Sequence, residues 1–480
     1  MAKQKVIIRV DGNSQIGLGH IYRGIALSEM LKTEFDICFI TKPDTTISPI
    51  TDVGFNYKFL PEIPFLDEPR WLKQNIDQNA IIICDGYEFT EEYQQKIKDN
   101  KFKLVYIDDL AKGTQKADIV INHSPGIKET DYKCENYTKL ALGLDYALIR
   151  QSFINFDRAT KKQNSKIESV FVSFGGADPK DFTYKTVIEI IKIDQIKKIN
   201  IVLGSAYKHT KLKSISSGKI NIYNNLSEKE MLDIMSTSDF AIVPASTTSI
   251  ELAFINVPML LGHFVENQKI IYNGFVKKNA VYSLGDFNKK DFSELSNDIN
   301  DFINNKKKIR INILSEPKRN ILKLFRFLNI TIRIVKENDI RFVYNLSNES
   351  LVRENSYNSD KITFENHEKW FNNQLIKNKE VFYILEYDNK PYGQVRFTIK
   401  GSFSIIGIAI SSKNRGMGLA TQSLILSTEK YFQKYNLPIY AYIKKTNMVS
   451  VNSFKKAGFV FLKNETVEGV DSFVYVKNKD

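Results

Sequence analysis

Cysteine is scarce in this chain: 480 residues contain only Cys38, Cys84 and Cys134, odd in number and far apart. They fit neither a zinc nor a redox spacing, which excludes a disulfide scaffold and points to a reducing compartment. No run approaches the roughly 18 consecutive apolar residues of a membrane span; stretches such as Ala80–Ile83 and Ser404–Ile410 have the length of strands. Clustered His/Cys ligands and a convincing Asp-x-Asp motif are missing too, so no metal is expected. There is no Gly/Ser-rich or Pro-rich linker and no block of five like charges. The formal charge of +13 is spread over interleaved Lys and Glu, and a solvated basic surface without a nucleic-acid partner is the expectation. Val6–Val10 follows Met1 closely and reads as a buried strand rather than a secretory signal, so a soluble cytoplasmic protein without membrane insertion is expected.

What is present is ample core material. An apolar fraction of 42% with 26% charged residues is ordinary for globular protein, and at roughly 100–200 residues per domain the length predicts two to four domains. Candidate strands at Val6–Val10, Asp36–Thr41, Ala80–Asp85, Lys103–Asp108 and Ile119–Asn122 alternate with amphipathic stretches, the signature of a parallel α/β sheet. A second such block starts at Ser169 and runs through Ile199–Gly204, Ile220–Tyr223, Phe240–Val243 and Met259–Leu261. Two doubly wound domains in tandem put a ligand cleft at the carboxyl ends of their strands. Lys306–Arg326 is basic and helical in period, and a strand restarts at Thr331. The reading is therefore residues 1–150 and 151–330 as two Rossmann-like domains and 331–480 as an α+β module with hairpin strands.

Three strand-to-helix turns carry chemistry. The first is Asp11-Gly-Asn-Ser-Gln-Ile-Gly17-Leu-Gly19-His20-Ile-Tyr-Arg23, where free backbone N–H groups and a helix start can hold a phosphate and His20 stands at the mouth. A histidine that merely caps the helix is the competing reading. The others, Ser173-Phe-Gly175-Gly176-Ala-Asp178 and Ser246-Thr-Thr-Ser249-Ile-Glu251, offer N–H and hydroxyl groups to a pyrophosphate, with Glu251 placed to accept from ribose hydroxyls.

These residues, with Asp85-Gly-Tyr87, Asp108-Asp109 and Asp118-Ile-Val-Ile-Asn122, resemble the PseG family over about residues 5–330. That family comprises UDP-sugar hydrolases of pseudaminic acid biosynthesis with a MurG-like GT-B arrangement of two Rossmann-like domains. The resemblance implies hydrolysis of UDP-2,4-diacetamido-2,4,6-trideoxy-β-L-altropyranose to UDP and free sugar. His20 matches the catalytic histidine, and Gly17, Gly19, Arg23, Asn122, Gly175, Gly176, Ser246, Ser249 and Glu251 fall on the substrate side. The chemistry is self-consistent, because expelling a phosphate of low pKa needs one base and an anion hole rather than a carboxylate pair. Asp11 or Tyr87 is the expected support for His20.

In the last third, Arg415-Gly416-Met-Gly418-Leu-Ala420 has the Arg-x-x-Gly-x-Ala form of the GNAT pyrophosphate loop, and Asn447 to Phe459 is spaced as the later GNAT element. With Val352–Ser359 and His367–Trp370, residues 331–477 look like the PseH-type branch, which implies acetyl-CoA-dependent 4-N-acetylation of a UDP-amino sugar. Arg415, Gly416, Gly418, Ala420 and Asn447 would bind acetyl-CoA and His367 would shape the sugar side. Phe454 stands where a tyrosine often protonates the leaving thiolate, so Tyr442 or water would have to replace it. The expectation is a bifunctional nucleotide-sugar enzyme; a UDP-sugar glycosyltransferase and a hydrolase with a non-catalytic coenzyme A-binding module are the alternatives.

Overall fold

A computed structural model describes residues 3–13, 17–157, 166–204, 206–305, 313, 315–377, 381–387 and 389–479. Ile16 of the first turn and residues 306–312 of the basic stretch lie outside them. The chain forms two compact units, Met1–Leu322 and Lys323–Asp480.

The first unit holds two large parallel sheets and, among the described residues, a two-stranded parallel one that pairs Thr114–Gln115 with Lys133–Cys134. In the first, seven strands lie in the spatial order Asn56–Phe59, Phe35–Thr41, Gln4–Val10, Ile81–Asp85, Lys103–Ile107, Ile119–Asn122, Lys139–Leu142. Ile81–Asp85 is buried at every position, as expected for a central parallel strand covered on both faces. The helix Gly19–Leu31 crosses the sheet with Ile21, Ile25, Leu27, Met30 and Leu31 buried, and Gly24 lets it approach, since a Cβ there would lie 3.2 Å from the Phe39 ring. Strand order reverses between Gln4–Val10 and Ile81–Asp85, which opens a crevice at their carboxyl ends. The second sheet has the order Ile220–Asn224, Lys198–Leu203, Ser169–Val172, Phe240–Pro244, Met259–His263, Tyr282–Asp286, with the same reversal beside Ser169–Val172. Both large sheets are Rossmann-like.

Each predicted strand of the first unit is present. Three edge strands, Asn56–Phe59, Lys139–Leu142 and Tyr282–Asp286, were not foreseen, because their half-exposed, polar-interrupted sequences show no continuous apolar run.

The second unit carries a mixed seven-stranded sheet in the order Ile330–Ile334, Phe382–Tyr387, Lys390–Lys400, Phe403–Ile410, Ile439–Lys444, Val470–Lys477, Val460–Val467. All neighbours are antiparallel except Phe403–Ile410 and Ile439–Lys444, which run parallel and pair only at Ser404↔Ile439 and Ile405↔Tyr440. Past those two rungs the strands part. A cavity of about 1260 Å3 opens there, lined by Ile405–Ile410 on one side and Tyr442–Lys444 on the other.

Candidate functional site

In the first unit the turn after Gln4–Val10 folds back on itself, with Gly17 N–H donating to Asn13 O at 2.8 Å. Gly17 takes φ +92°, a conformation open to glycine, and a Cβ at Gly17 or Gly19 would meet nothing within 4 Å, so the turn faces open space. His20 is the second residue of helix Gly19–Leu31, and its Nδ1 lies 2.7 Å from Asp85 Oδ1. Asp85 ends the neighbouring strand, in register with Val10, and is fully buried.

Arg23, one helical turn on, grips the same carboxylate through Nε (2.8 Å) and Nη2 (2.5 Å) and reaches Asp109 Oδ1 with Nη1 (2.6 Å). Burial opposes charge on Asp85, but Arg23 and then His20 outweigh it, so its pKa lies below the ordinary carboxylate value. The network assigns the imidazole tautomer. Nδ1 donates to Asp85, and the approach of Arg23 Nη2 to the same nitrogen at 3.1 Å is then a donor meeting a donor. Nε2 is left as the basic nitrogen. Burial disfavours the imidazolium, yet the Asp85 carboxylate prevails and the His20 pKa lies above 6.5.

Tyr87 stands edge-on to the His20 ring, centroids 5.0 Å apart. Its hydroxyl donates to Asp109 Oδ2 at 3.4 Å and accepts from Asn267 Nδ2 at 2.6 Å. Asn267 precedes helix Gln268–Lys277, so this bond joins the two sheets' lobes within the unit. A second link is backbone packing: a Cβ on Gly274 would fall 2.2 Å from Gly126 N.

The sequence reading missed Asp85 as the partner of His20, and missed Asn267 and His123. His123 is buried, accepts the Leu148 N–H at Nδ1 (3.2 Å), and has its pKa lowered to about 4, first by burial and then by Arg23. Of these only Asp85 stood in a motif, and it is the parallel pairing of Val10 with Asp85 that brings its carboxylate beside His20.

Other expected site residues are placed differently. Asp11 meets Arg9 Nη1 at 2.7 Å and accepts from Lys42 N at 2.8 Å, so the carboxylate at the imidazole is Asp85 and not Asp11. Asn122 is fully buried, donating to Tyr132 Oη (3.0 Å) and accepting from Ser124 N (3.0 Å), and thus orders the loop that carries His123. Glu251 is held by Arg150 through Nε and Nη2, both at 2.7 Å, rather than presented to a ribose. Buried Ser249 turns its hydroxyl inward, donating to Ser246 O at 2.6 Å and accepting from Ser246 N at 3.1 Å. Ser246 itself is half-buried at the start of helix Thr247–Phe254.

The Gly175-Gly176 turn is open on its outer side, with nothing within 4 Å of a Cβ at either position. Gly204 closes on its inner side, where a Cβ would strike Gly176 O at 2.3 Å. The helix that follows, Phe182–Ile190, is capped by its own chain, for Asp178 accepts from Phe182 N and Thr183 N, each at 2.8 Å. Anion-binding capacity there resides in the glycine turn rather than in the helix end.

In the second unit, Gly416 (φ +77°) and Gly418 (φ +80°) form the turn into helix Leu419–Phe432, whose first turn includes Ala420. Arg415 is occupied, with Nη2 2.7 Å from Glu349 Oε2 and Nε donating to Ile410 O at 2.9 Å. Asn447 caps helix Met448–Lys456, accepting from Ser450 N at 3.1 Å, and lines the cavity. His367 is buried in the cavity wall among Tyr344, Trp370 and Phe371, burial lowers its pKa, and its Nε2 has no hydrogen-bond partner. Phe454 is buried edge-on to Phe459. Among the described residues no cluster of three or more His, Cys, Asp or Glu could hold a metal, and no helix is long and apolar enough to cross a membrane.

Two Rossmann-like sheets with a half-buried histidine on a buried aspartate, followed by a mixed sheet with a glycine turn beside a splayed strand pair, define a two-part α/β and α+β protein. Comparison with known proteins sharpens this. The acetyltransferase (GNAT) family model matches residues 341–459. A UDP-2,4-diacetamido-2,4,6-trideoxy-β-L-altropyranose hydrolase of Campylobacter jejuni is 26% identical over 282 residues, 57% of this chain and 97% of that protein. The spore coat polysaccharide biosynthesis protein SpsG of Bacillus subtilis is 26% identical over 300 residues, 58% of this chain and 83% of its own length. An uncharacterized protein of Methanocaldococcus jannaschii is 26% identical over 486 residues, 95% of this chain and 96% of its own. Among solved structures, a spermidine N-acetyltransferase from Vibrio cholerae with CoA and spermine aligns at 20% identity and TM-score 0.30, over 32% of this chain and 96% of that one. The chain is a fusion of a PseG homologue with a GNAT domain.

Proposed function

We propose that the first unit hydrolyses a UDP-linked 2,4-diacetamido-2,4,6-trideoxy sugar and that the second acetylates the 4-amino group of its precursor from acetyl-CoA. The carrying observation is the Asp85–His20 pair, which leaves Nε2 as a base at the mouth of an open glycine turn. Water attacks C1 of the sugar as Nε2 takes its proton. The C1–O bond to the diphosphate breaks and its electron pair leaves on UDP, whose low phosphate pKa removes the need for an acid. Tyr87 and Asn267 fix the imidazole edge across the lobes, and the Gly175-Gly176 turn with Ser246 receives the pyrophosphate. Residues 1–150 would then supply the base, 151–330 the nucleotide site and 331–480 the acyltransferase. The resemblance to PseG and the C. jejuni relative support this choice of substrate.

In the GNAT part, the amine nitrogen attacks the thioester carbonyl in the cleft between Phe403–Ile410 and Ile439–Lys444, the C–S bond breaks, and the departing thiolate takes a proton from Tyr442, since Phe454 has none to give; the nitrogen gives up one proton as the amide forms, and that proton returns through water to the Tyr442 oxygen. Gly416, Gly418, Ala420 and Asn447 form the acetyl-CoA side. A nucleotide sugar and acetyl-CoA as substrates fit a cytoplasmic enzyme.

The test is UDP release from the UDP-sugar without any acceptor. Release by the native protein, with His20→Ala about 10²- to 10⁴-fold slower in turnover at unchanged UDP affinity, supports hydrolysis. Release only when an acceptor alcohol is added would make this a glycosyltransferase instead.

A further inference from the structure

Neighbouring strand residues point to opposite faces of a sheet, and in the second unit each face has its own helix. Helix Leu419–Phe432, which begins at the Gly416–Gly418 turn, shares a core with Val395, Phe397, Ile406 and Ile410. Helix Phe364–Lys377 covers the other face, where Phe371 packs with Phe382 and Ile384. Arg396 stands between Val395 and Phe397, in register with Phe382 and Gly407, and so belongs to this second face. Its Cζ lies 5.0 Å from the centre of the Trp370 ring. A Cβ built on Gly407 would fall 3.6 Å from Arg396 Nε, so the side chain runs over a strand position that carries no side chain of its own. Arg396, Trp370 and Gly407 all line the cavity.

Among the described residues Arg396 has neither a hydrogen bond nor a carboxylate partner: the indole ring is its contact, and the charge acting on it is that of Arg353, a second guanidinium of the cavity wall. Burial, followed by Arg353, holds the Arg396 pKa below its ordinary value. Arg353 is held by neutral acceptors, donating to Ser347 O (2.7 Å), Asn358 O (3.3 Å), Asp360 O (3.2 Å) and Ser356 Oγ (2.9 Å), and among the described residues it too meets no carboxylate. Glu465, on the same cavity, is paired with Lys463 at 2.7 Å. Two neighbouring cations with no anion between them are unfavourable, and an unpaired guanidinium fork matches the oxygens of a phosphate. The turn that receives the coenzyme's pyrophosphate starts the helix on the opposite face, so the anion that suits Arg396 is the acceptor's.

We propose that Arg396 is the anion-recognition residue of the acceptor site, its guanidinium taking the diphosphate of the UDP-linked amino sugar; this rests on the acyltransferase reading of the cavity. Coenzyme A release by the full-length protein is followed with the UDP-linked 4-amino sugar and with the same sugar lacking UDP, in the native chain, Arg396→Gln and Arg396→Lys. The expected result for Arg396→Gln is a KM for the UDP-linked acceptor raised roughly 10- to 100-fold with KM for acetyl-CoA within about 2-fold of native, and for Arg396→Lys a smaller rise. The advantage of the UDP-linked sugar over the free one should shrink by the same factor. Unchanged KM in Arg396→Gln overturns the proposal. So does an equal loss with both sugars, which would make packing against Trp370 the cause, or a lysine variant as weak as the glutamine one. Native protein that acetylates both sugars equally well keeps the acyltransferase reading and overturns this proposal. Native protein that releases no coenzyme A with either sugar removes both together.

Discussion

Asp85 decides what His20 can do. Burial and Arg23 both push the imidazole toward its neutral form, and the carboxylate at 2.7 Å overrides them. The raised pKa means that the base form is lost as pH falls through a value above 6.5, so the acid limb of UDP release should lie above that of free histidine. In Asp85→Asn the raising influence goes while burial and Arg23 stay. The limb should move to lower pH and turnover should drop by about 10²-fold or more, because the amide no longer fixes the Nδ1–H tautomer; a pH–rate profile of both proteins checks the direction. The same pair gives opposite stability trends. The depressed Asp85 contributes above the ordinary carboxylate pKa and loses that contribution in acid, whereas raised His20 contributes below 6.5 and loses it as pH climbs through the folded value. At this scale the sequence was half legible. His20 and Arg23 announced themselves in a motif. Asp11, its neighbour along the chain, seemed the natural partner only because strand pairing, which brings Asp85 alongside, is not written in local sequence.

At the level of elements, two close contacts bear weight. Helix Gln268–Lys277 rests against the loop at Gly126 with no room for a methyl group, so Gly274→Ala should cost about 1–3 kcal/mol by overpacking. It should also lower kcat/KM for UDP release, since the Asn267–Tyr87 bond lies at the start of that helix; thermal melts and kinetics on one preparation test both. In the other unit Asn447 caps Met448–Lys456, and Asn447→Ala should remove about 1 kcal/mol and raise KM for acetyl-CoA, measured by denaturant titration and coenzyme A release. Core strands such as Ile81–Asp85 could be read because burial on both faces demands an unbroken apolar run. Edge strands could not, and neither could Glu251, which Arg150 holds from far along the chain, nor Ser249, which closes its turn on the Ser246 backbone.

For the molecule as a whole, separate cores and two compact units predict two calorimetric transitions rather than one. Acetyl-CoA at about 100 times its Kd should add about 2.7 kcal/mol to one unit and leave the other transition in place. A single transition that shifts intact would contradict this. The arrangement of the first sheet also sets the order in which a nascent chain can mature. Val6 finds a neighbour at Ile37 on one side and at Ile81 on the other, while Val105 waits for Ile119. A polypeptide leaving the ribosome therefore carries one edge of this interior strand unpaired until the chain has run more than seventy residues past it, and such distant parallel pairings form slowly. During that interval the apolar stretch around Val6 stays open to non-native contacts, and the His20–Asp85 pair cannot form before it closes.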